Sequence, residues 1–165
     1  MRLNDQVAEI RRTHLVAAEP QAVWDVLADF GAISSWADNV DHSCLLSPAA
    51  VGVGVGTTRR VQIGRDTLVE RITEFDPPHA LAYHVEGFPR ALRAVRNRWT
   101  LRSAVANPAG ASISVVTLTC TIGIGSGPLR RLGERIIARF AARQLEAVLT
   151  GLLNGLTRRV EDSHV

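Results

Sequence analysis

The sequence predicts an α+β domain in which one long C-terminal helix packs along a single antiparallel sheet. Three observations lead to this prediction. A strand and two short helices open the chain, six strand-like segments follow them, and an amphipathic segment over residues 128–160 ends it. With 165 residues the chain is expected to form one domain, spanning 1–165 with its core at about 7–160, and this length is enough to bury a sizeable core.

The segment over residues 128–160 is predicted to be helical because its apolar residues recur every three or four positions. These are Leu129, Leu132, Ile136, Phe140, Val148, Leu152 and Leu156. The opposite face carries arginines. Such a long apolar stripe needs a sheet to cover it, and a long helix lying over a curved sheet can enclose a pocket.

The elements before this helix follow from β-branched runs and from turn residues. Residues 7–17 alternate as a strand does, and Pro20 suits the first turn of a helix over 21–30. A second short helix is predicted over 32–39. Strands are then predicted over 41–47, 55–63, 66–75, 80–86, 92–106 and 111–124, separated by turns rich in Gly, Pro, Asn and Asp.

Alternation along the strands predicts which side chains face inward. Leu118 and Ile122 share the inner face of the last strand, and Asn97 and Trp99 that of the strand before it. Arginines between such positions are expected to be solvated. For residues 66–75 two phases compete, and the phase with Leu68, Glu70 and Ile72 inward is preferred because it places Glu70 opposite an inward Arg59. The competing phase places Val69, Arg71, Thr73 and Phe75 inward.

Composition argues against several classes of protein. The formal charge is +3, yet all nineteen basic residues are arginines spread along the chain, a bias typical of a GC-rich genome such as an actinobacterial one. Nucleic acid is therefore not an expected partner. No apolar run is long enough to span a membrane and the chain does not begin as a signal peptide does, so a cytoplasmic location is expected. Cys44 and Cys120 are expected to be buried free thiols.

No metal, cofactor or nucleophile motif is found in the sequence. The five histidines show no ligand spacing, so neither a metal nor a cofactor is expected. Residues 52–56 resemble a phosphate-binding loop but lead into a strand and lack the Gly-Lys-Ser/Thr that should follow. They are interpreted as a flexible glycine loop at the mouth of a pocket.

Six short segments carry a resemblance to a known superfamily. They are Val23-Trp24, Asp29-Phe30, Trp36, Gly56-Thr57-Thr58-Arg59, Val69-Glu70-Arg71-Ile72 and Ala82-Tyr83-His84-Val85. Together with the order of elements, they resemble the START-like, Bet v 1-type (SRPBCC) superfamily, and within it the polyketide cyclase/dehydrase and lipid-transport group. The resemblance implies a helix-grip fold, in which the terminal helix and a seven-stranded curved antiparallel sheet enclose a hydrophobic cavity. Members bind sterols, lipids, polyketides or other apolar ligands, and only some are enzymes.

The candidate binding site combines inward polar residues with apolar walls. The polar candidates are Arg59, Glu70, Tyr83 and Asn97. The wall candidates are Trp99, Leu118, Ile122, Ile136 and Phe140, and Trp24 and Trp36 are candidates for the mouth of the pocket. An alternative remains open, in which Arg59 and Glu70 form a structural ion pair and Tyr83 belongs to the core. For Trp24, core packing is the preferred interpretation.

Two functions are compatible with these residues. The first is binding of a hydrophobic small molecule, such as a lipid, isoprenoid or polyketide-like compound, by a carrier or sensor. The second is a cyclase/aromatase-like enzyme in which Arg59, Glu70 and Tyr83 steer enolisation and loss of water. A third reading has the arginine face of the last helix dock an acidic partner or an anionic membrane. No integral membrane segment is expected, and the sequence leaves monomer and homodimer open.

Overall fold

The computed structural model describes residues 6–47, 52–88, 92–104, 110–124 and 142–163. Strand β1 covers Gln6–Val16, helix α1 covers Pro20–Ala28, and a 3-10 helix covers Phe30–Ser35. Six strands follow: β2 (His42–Ser47), β3 (Thr58–Ile63), β4 (Asp66–Asp76), β5 (Ala80–Glu86), β6 (Leu92–Ser103) and β7 (Ser114–Ile124). Helix α2 covers Ala142–Asp162.

The seven strands form one curved antiparallel sheet in the order β1-β7-β6-β5-β4-β3-β2. Strands β2 to β7 follow one another as a meander, whereas β1 pairs with β7 at the far edge, in a register that joins Gln6 to Ile124 and Val16 to Ser114. The seven-stranded antiparallel sheet and the helix-grip fold predicted from the sequence are confirmed.

One face of the sheet is buried as the alternation predicts. On β7, Val116, Leu118, Cys120 and Ile122 are all at most 5% exposed, and the threonines between them are half-buried. The same alternation buries Val95, Asn97, Trp99 and Leu101 on β6. On β6 and β7 the inner face is therefore apolar except for the amide side chain of Asn97.

A bulge in β4 explains why two phases competed in the sequence. The register with β5 shifts between Ile72 and Glu74. Up to Ile72 the preferred phase holds, and Glu70 is buried with it. One extra residue then reverses the side to which side chains point, so Phe75 joins the core while Glu74 lies on the outer face beside Arg98.

The two short helices pack on the inner face of the sheet, and the first begins at a proline. Pro20 is the first residue of α1, where its missing N–H costs nothing. This helix buries Val23, Trp24 and Leu27. The predicted second helix over 32–39 is wrong in type and bounds, since the structure has a 3-10 helix from Phe30 that ends before Trp36.

Helix α2 packs closely on the segment after the 3-10 helix. Gly155 is the contact point, because a Cβ there would meet the backbone of Trp36 and Ala37. Over residues 146–162 of α2, the buried side chains are Leu149, Leu152, Leu153, Leu156 and Val160. The predicted stripe missed Leu149, Leu153 and Val160. The first half of the predicted helix, with Ile136 and Phe140, lies outside the described residues.

None of the helices in the described ranges is both long and apolar enough to cross a membrane.

Candidate functional site

The inner face of the sheet holds an ion pair that is almost completely removed from solvent. Arg59 on β3 and Glu70 on β4 are directly opposite in register. The Arg59 Nε donates to Glu70 Oε2 at 2.5 Å, and the two side chains are only 3% and 8% exposed. The Nη1 of Arg59 also donates to the backbone carbonyl of Phe30 at 2.7 Å. The predicted inward pairing of Arg59 and Glu70 thus exists, and each charge has a partner.

Aromatic rings surround the guanidinium of Arg59. Its Cζ lies 3.9 Å from the centroid of the Phe30 ring and 5.0 Å from that of Tyr83. The two rings themselves meet edge to face at 5.6 Å. Cation–π contacts and the bond to Glu70 together stabilise a charge that would otherwise be costly to bury. The Nε and Nη1 of Arg59 are thus both bonded to other groups of the protein.

Tyr83 and Trp99 continue this polar strip across β5 and β6. The Trp99 Nε1 donates to the Tyr83 hydroxyl at 3.4 Å. Burial, followed by the nearby charge of Glu70, raises the pKa of Tyr83 to about 12 against an opposing effect of Arg59. At neutral pH the Tyr83 hydroxyl is therefore protonated.

Two buried polar atoms in this region lack a hydrogen-bond partner among the described residues. They are the Asn97 Oδ1 and the Trp36 Nε1. Asn97 is 8% exposed and pairs in register with Tyr83 on one side and Cys120 on the other. Buried polar groups are normally satisfied, so these two atoms mark positions where a ligand group or a water molecule could bind.

The structure gathers most, but not all, of the residues predicted for the site. Arg59, Glu70, Tyr83, Asn97 and Trp99 form one continuous strip. Around this strip, Trp36 meets the Trp99 ring at 6.4 Å, Leu118 pairs with Trp99 across β6 and β7, and Ile122 pairs with Val95.

Trp24 stands apart from this strip. It packs edge to face on Phe75 at 5.0 Å, as expected of a core residue. Sequence reasoning missed the part that Phe30 plays, with its ring and its carbonyl oxygen both on Arg59. A backbone carbonyl leaves no signal in the sequence.

The outer face of the sheet carries a second ionic cluster. Arg96 and Arg98, which were expected to be solvated, are therefore ion-paired and partly shielded, whereas Arg102 is exposed as expected. Glu74 accepts two bonds from Arg98, at 2.8 and 2.7 Å, and one from Arg96 at 3.0 Å. All three side chains are about one-third exposed, at 30–40%. The bonds and charge of Arg98 lower the pKa of Glu74.

Cys44 is exposed on the edge strand β2, contrary to the prediction of burial, whereas Cys120 is buried as expected. The difference follows from the position of β2, an edge strand on which five of the six residues are exposed. Within the described ranges, no group of three or more His, Cys, Asp or Glu side chains could hold a metal ion.

A groove of about 590 Å³ lies at another place, between the start of α1, the turn at residues 78–79 and the ends of β6 and β7. Its walls include Glu19, His79, Arg102 and Ser112, which are exposed side chains. None of the predicted site residues lines it. The buried strip on the inner face is the better candidate, because ligand sites combine apolar walls with a few buried polar groups.

Comparison with known proteins identifies relatives of this fold. A family model described as polyketide cyclase / dehydrase and lipid transport matches residues 7–161. Among solved structures, the Zhui aromatase/cyclase from Streptomyces sp. R1128 is 18% identical with a TM-score of 0.68, and the match covers 94% of each chain. Ara h 8.0201 is 15% identical with a TM-score of 0.68, over 95% of this chain and 99% of that one.

A START superfamily protein from Mycobacterium smegmatis is 14% identical with a TM-score of 0.66, over 93% of this chain and 97% of the other. A sequence search of curated proteins finds no match. At these identities the structural matches establish the fold.

Proposed function

Because this chain belongs to the polyketide cyclase/dehydrase and lipid-transport family, we propose that it binds a hydrophobic small molecule on the inner face of its sheet. The ligand would be a lipid, an isoprenoid or a polyketide-like compound, and the protein its carrier or sensor. The observation that carries this proposal is the neutral polar strip buried in an apolar surface. Its charges are already paired, as Arg59 with Glu70 shows, so an apolar ligand meets no unpaired charge there.

Affinity would come mainly from apolar burial. Trp99, Leu118 and Ile122 are candidate walls, and all three are at most 5% exposed. Each Å² of apolar surface removed from water contributes about 25 cal/mol before the costs of association. The buried polar groups would fix the orientation of the ligand and add little net affinity.

Binding is favoured over catalysis by the state of the polar residues. The Tyr83 pKa of about 12 keeps its hydroxyl protonated at neutral pH, so Tyr83 cannot serve as a base there. The carboxylate of Glu70 is held by Arg59 at 2.5 Å. In this arrangement Tyr83 keeps its proton and Glu70 is engaged in an ion pair.

A cyclase/aromatase-like activity is the second candidate. The observation in its favour is that an arginine, a glutamate and a tyrosine lie together on the inner face, in a fold that the Zhui aromatase/cyclase shares. Arg59 and Tyr83 would then polarise carbonyl groups of a poly-β-keto chain while Glu70 assists enolisation. On this reading Glu70→Gln and Arg59→Met abolish turnover and leave the affinity for apolar ligands largely unchanged.

Native mass spectrometry of the purified protein, followed by denaturing extraction, tests the proposal directly. We expect an apolar compound bound at a stoichiometry of one. Extraction would then reveal its chemical class. A protein without adduct, which also fails to bind added fatty acids, sterols and aromatic polyketides in titrations, would contradict the proposal.

A pair of variants on one strand tests where the ligand binds. Leu118→Trp places a large ring on the inner face and should abolish ligand binding. Thr119→Trp, its neighbour on the outer face, makes the same chemical change and should leave binding unaltered. Ile122→Phe serves as a smaller inner-face change if Leu118→Trp does not fold. Equal binding by all variants would exclude the inner face.

Further parts of the proposal concern the setting of the protein. We propose a cytoplasmic location, one or two copies of the chain per particle, and no binding of nucleic acid. Light scattering after size exclusion measures the number of copies, fractionation of the source cells measures location, and a gel-shift titration with random DNA and RNA measures nucleic-acid binding.

A further inference from the structure

Asn97 places a buried amide side chain on the inner face of the sheet. Its Oδ1 has no hydrogen-bond partner among the residues described. The side chain is 8% exposed and stands between Tyr83 and Cys120 in the register of the sheet. A carbonyl oxygen is only an acceptor. Whatever satisfies it must therefore donate a hydrogen.

The neighbouring groups do not supply that hydrogen. The Trp99 Nε1 is directed to the Tyr83 hydroxyl at 3.4 Å. Among the described residues, the Tyr83 hydroxyl makes no hydrogen bond to the Asn97 oxygen. A thiol such as that of Cys120 is a weak donor. Within the described part of the chain, the Asn97 oxygen is thus left without a donor.

Charge on the same face argues against an anionic ligand. Arg59 is the cation of this strip, and it is already bonded to Glu70 and to the Phe30 carbonyl. Among the residues that the structure describes, a ligand carboxylate would consequently find no free cation on this strip. It would also place its oxygens against the acceptor of Asn97 and the charge of Glu70. A neutral donor avoids both penalties.

Trp36 carries a second buried polar atom without a partner among the described residues, and this atom is a donor. Its ring contacts that of Trp99, which is two residues from Asn97 on the same face of β6. The Trp36 Nε1 is a buried donor with no acceptor among the described residues. A hydroxyl group both donates and accepts, whereas an ether or a carboxylate only accepts. A hydroxylated ligand can therefore satisfy the oxygen of Asn97 and also offer an acceptor in this region.

We propose that Asn97 selects neutral, hydroxyl-bearing apolar ligands, alcohols or phenols, over the matching ethers and carboxylates. This inference rests on the proposed function, because it assumes that an apolar ligand occupies the inner face. It adds a chemical requirement to that function: the ligand reaches the sheet with a hydrogen-bond donor directed at the Asn97 Oδ1.

Isothermal titration with four matched compounds tests the inference: naphthalene, 2-naphthol, 2-methoxynaphthalene and 2-naphthoate. For the unmodified protein, we expect 2-naphthol to bind about tenfold more tightly than 2-methoxynaphthalene, the size of effect that one buried hydrogen bond produces. We expect 2-naphthoate to bind most weakly. In Asn97→Leu the preference for 2-naphthol should disappear while the affinity for naphthalene is kept.

The control is Thr100→Val, which removes a polar atom from the outer face of the same strand and should leave all four affinities unchanged. Thermal unfolding adds a readout without ligand, since replacing an unsatisfied buried amide by leucine should raise the melting temperature. Asn97→Met replaces Asn97→Leu if the latter does not fold. If neither folds, the preference of the unmodified protein decides alone.

Failure of this inference differs from failure of the proposed function. If naphthalene binds and 2-methoxynaphthalene binds as tightly as 2-naphthol, the inference is overturned and the proposed function stands. Tighter binding of 2-naphthoate than of 2-naphthol would overturn the inference in the same way. If none of the four compounds binds, naphthalene included, the result contradicts the proposed function and removes the basis for this inference.

Discussion

Replacing Gly155 with alanine probes the contact between helix α2 and the segment after the 3-10 helix. A Cβ at this position would lie closer than 3.0 Å to the Trp36 carbonyl oxygen, 3.1 Å from the Trp36 carbonyl carbon and 3.3 Å from the Ala37 Cα. All three are backbone atoms, which cannot swing aside as the end of a side chain can. The helix or the segment at Trp36 must therefore move.

The magnitude follows from a comparison with Gly151, one turn earlier on the same helix. A Cβ at Gly151 would have Asn39 Oδ1 as its nearest neighbour, at 3.7 Å, an ordinary contact. Both substitutions gain the helix propensity of alanine over glycine, about 1 kcal/mol. That gain cancels in the difference between the two variants, which leaves the strain at Gly155, about 1–3 kcal/mol.

Urea denaturation followed by tryptophan fluorescence measures both free energies of unfolding. We expect Gly151→Ala to be more stable than the unmodified protein, and Gly155→Ala to be less stable than Gly151→Ala by the strain term. In thermal melts that difference corresponds to about 2–12 °C for a domain of this size. Equal stability of the two variants would refute the reasoning, because it would mean that α2 can move away from Trp36 at no cost.

Three further predictions concern ionisable groups. Glu70→Gln leaves the Arg59 charge buried without its partner and should lower the free energy of unfolding by about 3–5 kcal/mol. The double variant Arg59→Met with Glu70→Met removes both charges and should lose far less stability. A double variant as unstable as Glu70→Gln would contradict this. The folded pKa of Glu74 lies below the usual 4.5, so its stabilising effect is present above pH 4.5 and is lost as the pH falls through the folded pKa. Urea denaturation between pH 6 and pH 2 should therefore show the difference between the unmodified protein and Glu74→Gln shrinking with acidification; a constant difference would exclude the mechanism. A thiol reagent at pH 8 should modify exposed Cys44 in the folded protein and Cys120 only after unfolding. The reason is that Cys120 is buried, which also raises the pKa of its thiol to about 12. Rapid modification of both cysteines in the folded protein would disprove the burial of Cys120.

The sequence was a good guide to the sheet because strand alternation is a local property. The inward positions of Leu118 and Trp99 follow from a period of two along one strand, and the structure buries both. The opposition of Arg59 and Glu70 was also predictable. A two-residue turn at Gly64 and Arg65 joins β3 to β4 and sets their register.

Features that depend on a bulge or on backbone atoms could not be predicted in this way. The register shift between Ile72 and Glu74 reverses which side chains of β4 face inward, and no residue type in that stretch indicates the shift. The Phe30 carbonyl that binds Arg59 is likewise invisible in a pattern of side chains. The missed burial of Leu149 has a different cause, because the predicted stripe was narrower than the face that α2 presents to the core.

The pairing of β1 with β7 has a consequence for how the molecule is made. In this register Gln6 meets Ile124, a separation of 118 residues. Strand β1 leaves the ribosome long before its partner exists, whereas β2 waits only for β3, and β3 to β7 can each join a strand already present. Closing so long a loop carries an entropic cost that must be met before the contacts form. The earliest segment of the sheet to be synthesised is thus among the last to be ordered, and until then β7 offers an open edge to other chains.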